Sequence, residues 1–211
     1  MLFAQIVLFD GFDPLDVVAP FEVLAAAGEA AGGGLTVELV AAEGPRTVAG
    51  GTLGLTLRAT GRLDPGRPGY VVVPGASGPV DGDPDEVETI PVLLARFASS
   101  PAAPLLRAAM DNPRVTVAAV CGGSLALAMA GLIEGRHAVT HHLGLEVLEA
   151  TGVRAVAARV VDDGDLVTAG GVTSGLDLAL HLAERSFGPR VAHAVETLFE
   201  YERRGIVWRA A

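Results

Sequence analysis

The sequence predicts an α/β domain, with a mostly parallel sheet covered by helices on both faces. Three observations carry this. Short apolar runs such as Tyr70 to Val73 and Thr116 to Val120 lack polar alternation, as strands buried on both faces do. They alternate with longer segments of helical periodicity, the pattern of β-α units. The turns that close them are rich in glycine, alanine and serine, where open α/β sheets form their crevice.

In chain order, Gln5 to Phe9 reads as the first strand and Asp10 to Pro14 as a loop. Leu15 to Ala31 has a helical pattern, kinked or restarted at Pro20 and ended by Gly32 to Gly34. Leu35 to Ala41 is a second strand, and Thr47 to Leu57, with Gly50-Gly51 inside it, is a hairpin or edge ribbon. Tyr70 to Val73 is a third strand ending in PGASGP, and Gly78 to Glu88 is an acidic loop. Ile90 to Ser99 and Ala103 to Asn112 are helices separated by prolines. After the strand Thr116 to Val120 comes the Ala/Leu-rich helix Ser124 to Gly131. Ala138 to Thr140 ends a strand, and Leu143 to Thr151 is a helix. Ala155 to Asp162 and Asp165 to Ala169 flank Asp163-Gly164, a hairpin signal. Leu176 to Phe187 is a strongly periodic helix, and Pro189 opens a last one to about Glu202. The tail Arg203 to Ala211 is read as loose or docked on a partner subunit.

Composition narrows the function. The 211 residues fit a single domain with a sizeable core, since half of them are hydrophobic. No apolar run reaches the length of a membrane span, and MLFAQIVLF reads as a first strand, not a signal peptide. One cysteine excludes an internal disulfide and fits a reducing cytoplasm. The net charge is −10 and all 15 basic residues are arginine. Lysine Schiff-base and P-loop chemistry are thereby excluded, and nucleic-acid binding is disfavoured.

The chemistry centres on TVAAVCGGSLALAMAG, residues 116 to 131. Ala119 and Gly123 flank Cys121 at the small-x-nucleophile-x-small spacing of a nucleophile elbow, whose tight turn excludes larger neighbours. The competing reading is a buried structural cysteine. At an elbow the thiol stands at a helix N-terminus, where free N–H groups are expected to lower its pKa. The loop Gly75-Ala76-Ser77-Gly78 has the make-up of an oxyanion hole, or of an ordinary turn. Asp13 and Asp16 lie in the loop after the first strand, where Asp16 alone would read as a helix N-cap. His141 and His142 follow a strand end and can reach the same crevice, His137 sits on a surface turn, and His181 and His193 read as surface or interface residues inside helices. Nothing in these spacings favours a metal site.

The segments FDGFDPLDVVAPFEVL, VVVPGASG, AAVCGGSLALAMAGLIEGRHAVTHH and VVDDGDLVTAGGVTSGLDLAL together resemble the DJ-1/PfpI superfamily, over nearly the whole chain to about Phe199. The resemblance implies a flavodoxin-like three-layer sandwich, glutamine-amidotransferase-like, forming a single domain over residues 1–211. Within the superfamily the chain is most similar to the isocyanide (isonitrile) hydratase branch, to which the sensory halves of some AraC-type regulators are related. That implies Cys121 as nucleophile, Asp16 as the carboxylate against it, and backbone N–H groups of Gly75, Ala76 and Gly122 around the site. His141, and Thr173 in the GGVTSG turn, are auxiliary candidates. Two features depart from that branch. Gly122 stands where hydratases carry threonine, and Thr140-His141-His142 replaces THW. Gly122 also excludes the histidine that PfpI-type peptidases have after the cysteine.

The activity so implied is hydration of an isocyanide to an N-substituted formamide, without cofactor or metal. The alternatives are glyoxalase-III-like conversion of 2-oxoaldehydes, with His141 or His142 as base, and a non-enzymatic sensor or redox protein that oxidises Cys121. The expected partners are a small-molecule substrate and a second copy of the chain in a homodimer, with no nucleic acid and no membrane.

Overall fold

A computed structural model describes residues 1–83 and 87–210. The acidic loop read from Gly78 to Glu88 and the tail read to Ala211 fall partly outside those residues. The chain order begins β1 (Leu2–Val7), α1 (Pro14–Ala30), β2 (Leu35–Ala41), β3 (Arg46–Ala49), β4 (Thr56–Ala59), β5 (Gly61–Arg62) and β6 (Gly69–Val73). It continues with α2 (Ile90–Ala98), α3 (Ala102–Met110), β7 (Val115–Val120), α4 (Gly123–Met129), β8 (His137–Ala138), a 3-10 turn at His142–Gly144, α5 (Leu145–Ala150) and β9 (Arg154–Ala155). It closes with β10 (Val160–Asp162), β11 (Leu166–Ala169), α6 (Ser174–Phe187), α7 (Pro189–Leu198) and β12 (Trp208–Arg209).

The main sheet has eight strands in the order β12-β10-β11-β7-β6-β1-β2-β5. All its neighbours pair in parallel except β10 with β11, which form the hairpin turned at Asp163-Gly164. The central strands β6 and β7 are buried almost throughout, as their unbroken apolar runs require. Helices α1, α6 and α7 pack on one face; α2, α3, α4 and α5 form the other layer. The fold is thus the three-layer α/β sandwich with helices on both faces. Helix α1 shows why it must be apolar nearly all round: Val17, Val23, Leu24 and Ala27 are buried between the sheet and its helical neighbours. Pro20 sits inside α1 without ending it.

Several elements differ from the sequence reading. The segment Ala155 to Asp162 is not one strand: β9 pairs with β8 in a separate two-stranded ribbon, and only Val160–Asp162 joins the main sheet. The last helix stops at Leu198. The tail is not loose at Trp208–Arg209, where β12 pairs with β10 of its own chain and Trp208 rests on His137 at 4.9 Å. His181 is a core residue, 2% exposed, with Nε2 bonded to Asp162 at 2.8 Å. Periodicity could not reveal this, since the acidic partner comes from a distant strand.

Candidate active site

Strand β7 runs into the elbow at Cys121, which adopts φ 55°, one of two non-glycine residues among those described with positive φ. A side chain in that region costs about 1–3 kcal/mol, so the surroundings must hold it. The Cys121 N–H donates to the carbonyls of Ala169 and Gly170, each at 3.0 Å. Its carbonyl accepts from Thr140 Oγ1 at 2.8 Å and lies 3.2 Å from Ser124 Oγ, which donates to the Val139 carbonyl at 2.5 Å. The small residue after the turn is obligatory: a Cβ on Gly123 would lie 2.2 Å from the Val73 carbonyl oxygen.

The second group comes from α1. Asp13 caps that helix, its Oδ1 accepting from the Leu15 N–H at 2.9 Å, with Pro14 in the first turn. Capping is therefore not the task of Asp16, which turns inward and is 0% exposed. Its Oδ2 accepts from the Gly75 N–H at 2.9 Å. Its Oδ1 has no hydrogen-bond partner among the described residues. The Cys121 thiol is near enough to favour the ionised carboxylate, but no bond of hydrogen-bond geometry reaches Oδ1. Gly75 is the wedge between the two groups. A Cβ there would lie 2.8 Å from Asp16 Oδ2, 3.2 Å from Cys121 Cβ and 2.7 Å from the Gly122 nitrogen.

Both groups are held towards their neutral forms. Burial, and then the negative charge of Asp13, push the Asp16 carboxyl well above the usual carboxylate range. Burial, and then the charge of Asp16, push the Cys121 thiol up to about 12. This corrects the expected fall. The backbone N–H groups of Val172 and Gly122 do face the sulfur and favour the thiolate, but desolvation and the adjacent carboxylate outweigh them.

Above the pair opens a cavity of about 490 Å³ whose wall is mostly apolar, with Ile90, Leu94, Leu125, Met129 and Val147 among its lining. Its polar side chains are Asp13, Ser77 and His141, with Cys121 at its base. The structure thus brings together Cys121, Asp16, Ala76, Gly122 and His141. Gly75 is there too, but its N–H is committed to Asp16, so it holds the carboxyl instead of serving as an oxyanion donor. His141 leans on Gly171, lies with its ring tilted against that of His142 at 4.3 Å, and has its pKa lowered by burial and then by the charge of His142. Thr173 is not part of the cavity wall. It is exposed, and its hydroxyl accepts from Arg159 at 3.1 Å. Among the described residues no group of three His, Cys, Asp or Glu side chains converges to hold a metal ion.

Sequence reasoning missed three contributors: the Val172 N–H and the hydroxyls of Thr140 and Ser124. Ser124 lies three residues beyond the cysteine and was visible as a polar residue in an apolar helix. Thr140 and Val172 come from segments that only the fold brings to the elbow.

The DJ-1/PfpI family model matches residues 4–185. Over 85 residues the chain is 45% identical to the isonitrile hydratase of Pseudomonas putida, covering 40% of this chain and 37% of that protein. It is 37% identical over 87 residues to the HTH-type transcriptional regulator GbdR of Pseudomonas aeruginosa, 40% of this chain and 24% of the regulator. These matches therefore span well under half the length of either curated relative. Among solved structures, Drosophila melanogaster DJ-1beta superposes with a TM-score of 0.78 at 20% identity, over 95% of this chain and 98% of that one.

Proposed function

The chain belongs to the DJ-1/PfpI family, and from that premise we propose that it is a cysteine-dependent hydratase acting on isocyanides, with Cys121 as nucleophile and Asp16 as proton relay. One observation carries the reading: a buried carboxyl with one satisfied and one unsatisfied oxygen, set against an elbow cysteine under an apolar cavity. A neutral acid beside a neutral thiol suits this substrate. The terminal carbon of R–NC must gain both a proton and a sulfur.

Asp16 delivers its proton to that carbon while the sulfur bonds to it, and the thiol proton passes to Asp16. The product is a thioimidate, R–N=CH–S–Cys121. No free thiolate has to accumulate, so the raised pKa values of both groups are compatible with turnover. Water then adds to the same carbon, one oxygen of Asp16 taking the water proton while the other gives its proton to the nitrogen. The C–S bond breaks and the sulfur regains the other water proton. The N-substituted formamide leaves. The Val172 and Gly122 N–H groups steady charge on the departing sulfur. The similarity to isonitrile hydratase supports the choice of substrate class.

The test is a spectrophotometric assay with p-nitrophenyl isocyanide. Formamide production by the wild type and none by Cys121→Ala is the expected result; equal rates in both proteins, or none in either, overturn the proposal. The glyoxalase-like alternative has one observation in its favour, the His141 ring on the cavity wall, and D-lactate formation from methylglyoxal is its readout. A homodimer fits the exposed Leu15 and Val18 on α1, and a monomeric mass by light scattering at micromolar concentration would refute it.

A further inference from the structure

We infer that the cavity over Cys121 accepts uncharged electrophiles and turns anions away, and that Asp13 is the residue that sets this rule. The inference rests on the reading of Cys121 as a nucleophile reached through this cavity. It concerns a residue to which the proposed reaction gives no step.

Asp13 is on the wall, together with the apolar side chains of Leu94, Leu125 and Val147. The chain has no lysine, and among the described residues that line the cavity there is no arginine. Arginines of the neighbouring surface are already paired, Arg96 with Glu88 at 2.7 Å, Arg46 with Asp10 at 3.0 Å and Arg159 with Asp177 at 2.5 Å. The basic side chain on the wall is His141, which burial and the neighbouring His142 bias towards its neutral form. Asp16, at the base, is biased towards its protonated form. Among the described lining residues the fixed charge is therefore a single negative one, that of Asp13.

That charge cannot swing aside. Asp13 Oδ1 is bonded to the Leu15 N–H as the helix cap, and the Asp13 N–H donates to the Gly75 carbonyl at 2.9 Å. Gly75 in turn holds Asp16. The carboxylate is thus anchored close enough to raise the pKa of both Asp16 and Cys121 through its charge. An anion entering this space loses water to an apolar wall and meets a like charge with no counter-ion. A neutral molecule meets neither cost.

Because Cys121 is the only cysteine, alkylation reports on this one site. Iodoacetamide and iodoacetate react alike: the sulfur displaces iodide and an S–C bond forms. Their second-order rates at pH 7.5 and low salt are to be compared by mass spectrometry with the ratio for a small free thiol. The amide-to-acetate ratio in the wild type should exceed that of the free thiol by about tenfold. It should fall by about fivefold in Asp13→Asn, which retains the helix cap, and again in wild type at 0.5 M salt. Asp13→Ser, another capping residue, should repeat the drop. A wild-type ratio equal to that of the free thiol, or a ratio unchanged in both variants, overturns the inference. Failure of iodoacetamide itself to label Cys121 removes the reachable nucleophile and overturns the inference together with the reading beneath it. Normal neutral labelling without isocyanide turnover sinks the hydratase reading alone.

Discussion

Two aspartates are buried near the N-termini of two helices, and they are treated in opposite ways. Asp177, in the first turn of α6, is 3% exposed and fully engaged. Its Oδ2 accepts from Arg159 and from the Tyr201 hydroxyl, and its Oδ1 accepts from the Arg204 N–H at 2.7 Å. It ties Arg159, just before β10, and the C-terminal segment to the helix. Asp16, in the first turn of α1, is 0% exposed, and among the described residues it has no cationic partner within ion-pair distance and leaves one oxygen unbonded. A buried carboxyl with every lone pair engaged stabilises a fold. One left half-satisfied beside a thiol has the character the proposed proton relay needs, because the same incompleteness that costs stability makes its proton transferable.

The largest effect expected from this contrast is on turnover. Asp16→Asn should lower kcat by about 10²–10⁴-fold while leaving the fold intact, as read by circular dichroism beside the isocyanide assay. The partner experiment is Asp177→Ala. It should cost about 2–4 kcal/mol in urea denaturation, since Arg159 and Tyr201 lose their acceptor, with kcat of the folded protein little changed. If Asp177→Ala abolished turnover while stability stayed put, the division of labour would be reversed.

A smaller effect concerns pH and stability. The folded-state pKa of Asp16 is raised, so the folded protein holds this proton more tightly than the unfolded chain. The contribution is fully present below the ordinary carboxylate value, about pH 4, and is lost as pH rises through the folded value. The stability of Asp16→Asn relative to wild type should therefore improve between pH 4 and pH 8; a flat difference would mean that Asp16 ionises normally. The thiol gives a sharper reading of the same coupling. With its pKa pushed up to about 12, Cys121 should show an iodoacetamide rate that still climbs beyond pH 9. In Asp16→Asn, freed of the carboxylate charge, the rise should level off at lower pH. A wild-type plateau near pH 8.5, the value of an ordinary thiol, would contradict the burial argument.

The smallest expected change is at Gly122. A Cβ there meets Leu94 Cδ1 at 3.0 Å, the end of a flexible side chain that can yield. Gly122→Ala should cost about 1 kcal/mol or less and act mainly on KM through the reshaped wall, measured by steady-state kinetics with a bulky and a slim isocyanide.

Sequence alone determined the layered α/β architecture, because the apolar runs of β6 and β7 and the helical periods of α1 and α6 are local signals of burial on both faces. It also determined the elbow, since the spacing of Ala119, Cys121 and Gly123 is a local pattern, although the Val73 carbonyl that demands a small residue at Gly123 comes from β6. Its errors were of one kind. The tail was judged without the open edge of β10 that receives it, and His181 without Asp162. Asp16 could be read as a cap until Asp13 was seen to hold that position. The ionisation of Cys121 reversed the expectation based on its helix terminus, because a pKa depends on the solvent excluded and the charges brought near. Gly75, Asp16, Thr140 and Val172 lie far from Cys121 along the chain, and no pattern within one segment specifies the dielectric they create together. Only the tertiary structure decided that, by packing α1 and the loops after β6 and β11 around one sulfur atom.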